Sequence, residues 1–194
     1  MSGSSLSLDG TVSVKPDTHQ KEIAKKILRF HVRANSDSKE DQELKKKVRD
    51  AVGSYMAGVL EGVEALAQTK DLVQQHLPAI EEVAQQTIRA QGYSYPVQAK
   101  LSVTTFPEKT YGAYTFPPGE YEALEVDIGE GQGRNWWCVL FPNMCFQGSV
   151  YEEPSEEAEG KLREVLSPEE YKIVFSKGKL KIRLKFLDRL LERA

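Results

Sequence analysis

Cysteine is nearly absent from this chain of 194 residues: there are two, Cys138 and Cys145. Two thiols cannot hold zinc by themselves, and His19, His31 and His76 show no ligand spacing that would complete a set. The C-x-x-C redox spacing is absent too. That leaves two readings, a local Cys138–Cys145 disulfide or a pair of buried thiols, with the disulfide preferred. No run of 18 apolar residues exists, so nothing here reads as a membrane span. A net charge of one sign is also lacking, since 26 basic and 29 acidic residues leave −3. No global field therefore selects nucleic acid. The opening MSGSSLSLDG has no charged-then-apolar export pattern. Residues 1–16 read as a loose leader, and 17–194 as a single domain, long enough to bury a core of its own.

What is present is periodic. Thr18 to Lys26 suits a short amphipathic helix. Leu28, Phe30, Val32 and Ala34 alternate with Arg29, His31 and Arg33, the period of a half-buried strand. ANSDS ends it, with Ser38 and Asp41 placed as a capping box. Leu44, Val48, Ala51, Val52, Tyr55, Val59 and Val63 then form a helical stripe. A second helix is expected from about Thr69, with Pro78 kinking or breaking it and Gly92 closing it. Strands follow at Val97–Thr105, Leu124–Ile128 and 136–141. Glu152–Glu159 reads as a solvated acidic stretch, and Ser167-Pro168-Glu169-Glu170 starts a short helix. Leu180, Ile182, Leu184 and Phe186 alternate with cations as a final strand. The order predicts an α+β, two-layer arrangement: a mixed, mostly antiparallel sheet of about five strands with two long helices packed on one face.

GEGQGRN (129–135) lacks the phosphate-loop spacing, and a strand follows it where a nucleotide site needs a helix. It reads as a flexible hairpin connection. Glu120, Glu122, Glu125, Asp127 and Glu130 read as a solvated strand face, and no histidine is placed to activate a nucleophile. No catalytic residue, cofactor or metal is assigned. The basic tail from Lys172 to Arg189 reads as edge-strand protection, with peripheral membrane contact as the other option. If Ile128 lies opposite Trp136, then Val126 faces Cys138 and Leu124 faces Leu140. Trp137, Val139 and Phe141 then share the other face with Asp127, Glu125 and Ala123. Such a face is either covered by the final segments or shown to a partner. Arg134, Asn135, Trp137 and Phe141 are the candidate partner-binding residues.

The segments HVRANSDSKEDQELKKKVRDAV (31–52), GYSYPV (92–97), FPEKTYG (106–112), PPGEYEALEVDIGEGQGRNWWCVLFPNMCF (117–146) and KIRLKFLDRLL (181–191) resemble the stage II sporulation protein R family of endospore-forming bacteria. The resemblance runs through nearly all of residues 21–191. It implies a non-enzymatic protein exported from the forespore into the intermembrane space. There it would trigger a membrane-embedded aspartic protease of the mother cell, leading to processing of pro-sigma-E. That exported location suits a Cys138–Cys145 disulfide. The family's hydrophobic export segment is missing from the front. A secreted peptidoglycan-binding or -hydrolysing domain, with tryptophans stacked on sugar rings, is the alternative.

Overall fold

The computed structural model describes residues 18–144 and 156–175. The expected loose leader, the expected strand at Leu180–Phe186 and Cys145 lie outside the described residues, and with Cys145 the expected disulfide pairing. The elements in chain order are α1 (Thr18–Ala24), β1 (Leu28–Arg33), α2 (Lys39–Val59), α3 (Leu66–Ala90), β2 (Val97–Phe106), β3 (Lys109–Tyr111), β4 (Tyr114–Phe116), β5 (Gly119–Ile128), β6 (Asn135–Phe141) and α4 (Glu156–Val165). A short helix α5 follows over 168–175.

Local chemistry explains the helix ends. The Ser38 hydroxyl accepts from the Asp41 N–H, capping α2. The Asp41 carboxylate does not return the bond to Ser38, as a capping box would. It accepts from Asn35 Nδ2 (2.9 Å) and Ser36 Oγ (2.6 Å) instead. Leu44, Val48, Val52 and Met56 are buried at successive i, i+4 positions, each stabilising the fold by roughly 1.5–3 kcal/mol. The stripe stops short of Val63, because α2 ends at Val59. Pro78 neither breaks nor ends α3, which runs on both sides of it. Val73, Ile80, Ala84 and Ile88 are buried along this helix, and that packing outweighs one missing backbone bond. Gly92, at φ +81°, closes α3 as expected. Of the acidic stretch expected at Glu152–Glu159, the part among the described residues keeps Glu156 and Glu159 in contact with solvent but is the start of α4, whose Ala158 and Leu162 are buried. A true capping box opens α5: Ser167 Oγ accepts from the Glu170 N–H and Glu170 Oε2 accepts from the Ser167 N–H.

The main sheet has the order β2-β5-β1-β6, and β3–β4 form a separate hairpin. It is mixed and mostly antiparallel: β1 runs parallel to β5, while β1–β6 and β2–β5 are antiparallel. The expected β5–β6 hairpin is therefore wrong. β1 lies between the two strands, with Val32 beside both Val126 and Trp136, and Phe30 beside both Leu124 and Cys138. Inserting one strand in register preserves the pleat, so the expected sharing of faces survives although the partners do not. Ile128, Val126, Leu124, Trp136, Cys138 and Leu140 join α2 and α3 in the larger core.

Phe141 departs from that alternation. A register shift between Leu28 and Arg29 puts it in the same helix-side core, 5% exposed. The opposite face is half covered. Ile23 and Ile27, the β3–β4 aromatics, Leu162 and Leu166 of the α4 region and Val174 of α5 form a second core over Val139, Ala123 and Tyr121.

Candidate functional site

Two distinctive sequence segments meet at the open end of the sheet. The glycine loop 129–134 lies against residues 34–37, between β1 and α2. Gly133 N–H donates to Ala34 O (2.8 Å), Gln132 N–H to Asn35 O (3.2 Å), Glu130 N–H to Asn35 Oδ1 (3.1 Å) and Arg134 N–H to Asp37 Oδ1 (2.7 Å). The expected flexible connection is thus a pinned one. Its glycines have a steric reason. A Cβ on Gly133 would sit 2.2 Å from the Ser36 carbonyl oxygen, and Gly129, at φ +59°, would meet Asn35 Oδ1 at 2.2 Å. Only glycine lets the two backbones approach this closely.

Beneath the loop is a residue that lies outside the apolar stripe by which the sequence announces α2. Lys45 is buried and donates to Arg134 O (2.7 Å) and Gln42 Oε1 (2.6 Å). Burial, and then the nearby Arg134 cation, lower its amine to about 8. Asp41 is the matching acid. Burial opposes its ionisation, yet hydrogen bonds from Ser36, Asn35 and Tyr95 hold it below the usual carboxylate range. The ANSDS segment is therefore a docking ledge for the loop as well as a helix cap.

Next to the loop, the face of β5, β1 and β2 away from α2 and α3 carries a charge network. Glu125 is buried rather than solvated as expected. It accepts from Ser102 Oγ and contacts His31 Nε2 (3.4 Å), Arg33 (3.3 Å) and Lys100 (3.4 Å). Asp127 contacts Arg33 Nε at 3.0 Å. Burial raises the Glu125 pKa, but the Ser102 bond and the His31 and Lys100 contacts outweigh it, leaving the group an anion below its ordinary value. His31 is 1% exposed, so it is not on a solvated face either. Burial lowers its pKa more than Glu125 raises it, so the imidazole is neutral near pH 7. Trp137 stacks on His31 with centroids 5.0 Å apart and planes 7° from parallel. Phe106 meets the same indole at 4.6 Å. In a hydrolytic triad the imidazole lies between hydroxyl and carboxylate. Here the carboxylate lies between Ser102 and His31, which makes the group a brace for the sheet face. Among the described residues, no three His, Cys, Asp or Glu side chains are placed to hold a metal. No helix among them is long and apolar enough to cross a membrane.

The expected contact residues separate in space. Arg134, 74% exposed at its side chain, Asn135 and the half-buried Trp137 follow one another at the start of β6, beside the pinned loop. The Asn135 Oδ1 is buried without a hydrogen-bond partner. Phe141 belongs to the far end of the strand, roughly 13 Å along at about 3.3 Å per residue, and to the core. Cys138 points into the helix-side core. His31, Glu125, Lys45 and Asp37 are the members that sequence reasoning missed. Glu125 and His31 looked like polar strand positions, and Asp37 like part of the segment that ends β1 and caps α2.

These features define an α+β domain that presents a braced loop, an exposed arginine and a half-buried tryptophan at one end of its sheet. Residues 24–151 match the family described as stage II sporulation protein R. The chain belongs to that family. It is 35% identical over 139 residues to a protein named stage II sporulation protein R from Bacillus subtilis (strain 168), covering 72% of this chain and 62% of that protein. The matched stretch thus spans less than two thirds of that relative's length. No solved structure matches the chain.

Proposed function

We propose that this chain is an intercellular signal of sporulation, exported from the forespore into the intermembrane space. In this reading it activates a membrane-embedded aspartic protease of the mother cell, which leads to processing of pro-sigma-E. Family membership supports the sporulation role. Within the chain, the carrying observation is the docking of loop 129–134 on residues 34–37, which fixes the exposed Arg134 at the entry to β6, the strand that carries Trp137. A ligand changes a receptor's state only by binding one state better than another. A pre-ordered loop suits that task because little conformational entropy is lost on contact. Arg134, Asn135 and Trp137 are the proposed contact residues, and Phe141 contributes through the core instead. The sugar-stacking alternative has less to stand on, since one face of Trp137 is already taken by His31 and Phe106 crowds the ring.

The test is reconstitution in a non-sporulating host that produces the protease, pro-sigma-E and the chain with an export signal. Wild-type chain should yield mature sigma-E. Trp137→Ala should accumulate but process pro-sigma-E poorly. Arg134→Ala, at an exposed position, serves as the second probe where Trp137→Ala lowers accumulation. Normal processing with both variants would sink the assignment of contacts, and no processing with wild type would sink the reading itself.

A further inference from the structure

The β2 edge of the sheet carries an observation that the signalling site does not use. Among the described residues, no strand pairs with the outer side of β2. The strand runs ten residues without a bulge, from Val97 opposite Ile128 to Phe106 opposite Gly119. Proteins normally blunt such an edge with charge, proline or a bulge, because its unpaired N–H and C=O groups are a template for another strand. Only Lys100 carries charge here, and its amine is turned to Glu125 and Asp127. Val103, by contrast, is 68% exposed, the large apolar side chain left in solvent among the described residues.

Ladder parity shows which backbone groups are open. The Ala99 N–H donates to Glu81 Oε1 of α3 (2.8 Å), so it points away from β5. The N–H groups of Leu101, Val103 and Thr105 therefore point outward as well. The open stretch is bounded at both ends: Ala99 is already occupied by Glu81, and Pro107 has no N–H to offer. These bounds lie four residues to either side of Val103, so the free edge is symmetric about that residue.

We infer that this edge pairs antiparallel with β2 of a second copy of the chain, about a two-fold axis through Val103. The register places Leu101 opposite Thr105 of the other copy and Val103 opposite itself. All three are outward-facing pairs, giving about six inter-chain backbone bonds. Ser102 then lies opposite Thr104 and Lys100 opposite Phe106, so no like charges meet. The two-fold axis stands perpendicular to the sheet, which keeps both helical layers on one side and joins two four-stranded sheets into one. Such an interface is isologous, as a closed dimer requires. It is separate from the loop bearing Arg134 and Trp137 and does not rest on the signalling reading.

Sedimentation velocity of the full chain, from low micromolar to several hundred micromolar, tests it. Wild type should show a concentration-dependent dimer. Val103→Pro removes an outward donor and no bond to β5, and Val103→Lys places like charges on the axis. Each should weaken the dimer at least tenfold while leaving the thermal unfolding of the monomer unchanged. A wild type that stays monomeric throughout, or a dimer that survives both substitutions, would overturn the inference. Should Val103→Pro fail to fold, Val103→Lys alone decides.

Discussion

Arg29 and Arg33 stand four residues apart on one face of one strand, yet they live in different solvents. Arg29 is 0% exposed, and its guanidinium lies 4.3 Å from the Phe106 ring centre and 5.0 Å from that of Tyr121. It donates to Cys138 O and Tyr111 Oη at 3.1 Å each. Arg33, 32% exposed at its side chain, lies among Glu125 and Asp127. The covered end, under α1, β3–β4, α4 and α5, turns an arginine into a core residue held by aromatic faces and two oxygens. The open end keeps a salt network at the solvent boundary. One strand face is thus dry at one end and open to solvent at the other.

The sharpest way to break this contrast is Arg29→Ala. It removes the hydrogen bonds to Cys138 O and Tyr111 Oη and empties the aromatic box, and it should cost about 3–5 kcal/mol, read by urea unfolding. A cost below about 1 kcal/mol would equate the two ends. Gly133→Ala comes next. Its Cβ would collide with the Ser36 carbonyl, so a loss of roughly 2–3 kcal/mol is expected, with faster hydrogen exchange at the Gln132 and Gly133 amides. Exchange as slow as wild type would mean that the loop stays docked. Lys45→Met should cost about 1 kcal/mol by leaving Arg134 O unpaired. It also carries a pH signature. With the folded amine at about 8 and an unfolded lysine near 10.4, the unfolded chain holds the extra proton between those values. Wild-type stability therefore gains from Lys45 as pH rises through that window, and the variant should lack this gain. Arg33→Ala is the smallest effect, within about 1 kcal/mol for a solvent-touched ion pair. A larger loss would show that the open end is structural as well.

Much of the architecture was legible because it rests on period. Leu44–Met56 and Val73–Ile88 announce helices, and Leu28–Ala34 announces a strand. Ser38 and Ser167 mark helix starts through hydroxyls that reach nearby N–H groups. The identity of the face shared by Trp136, Cys138 and Leu140 was also readable, since side-chain parity depends only on counting. Pairing was not. Nothing local says that β1 threads between β5 and β6, because that choice depends on contacts a hundred residues apart. The burial of His31 and Glu125 was hidden for a similar reason: an alternating polar residue looks the same whether water or another segment covers it.

The glycine loop shows the division most clearly. Its spacing and the strand after it are local, and they suffice to rule out a phosphate cradle. Its rigidity is not local, because it arises where Ala34, Asn35 and Asp37 offer oxygens within reach of its amides. Short-range order follows from backbone sterics and the alternation of apolar side chains, both written residue by residue. Which polar groups end up dry, and therefore paired and shifted in pKa, depends on what packs over them. Family membership and the two-helix, mixed-sheet plan belong to the first kind of information. The covered and open halves of the sheet, the buried Lys45 and Arg29, and the bounded free edge at Val103 belong to the second, since only the folded chain sets the distances on which desolvation and hydrogen bonding depend.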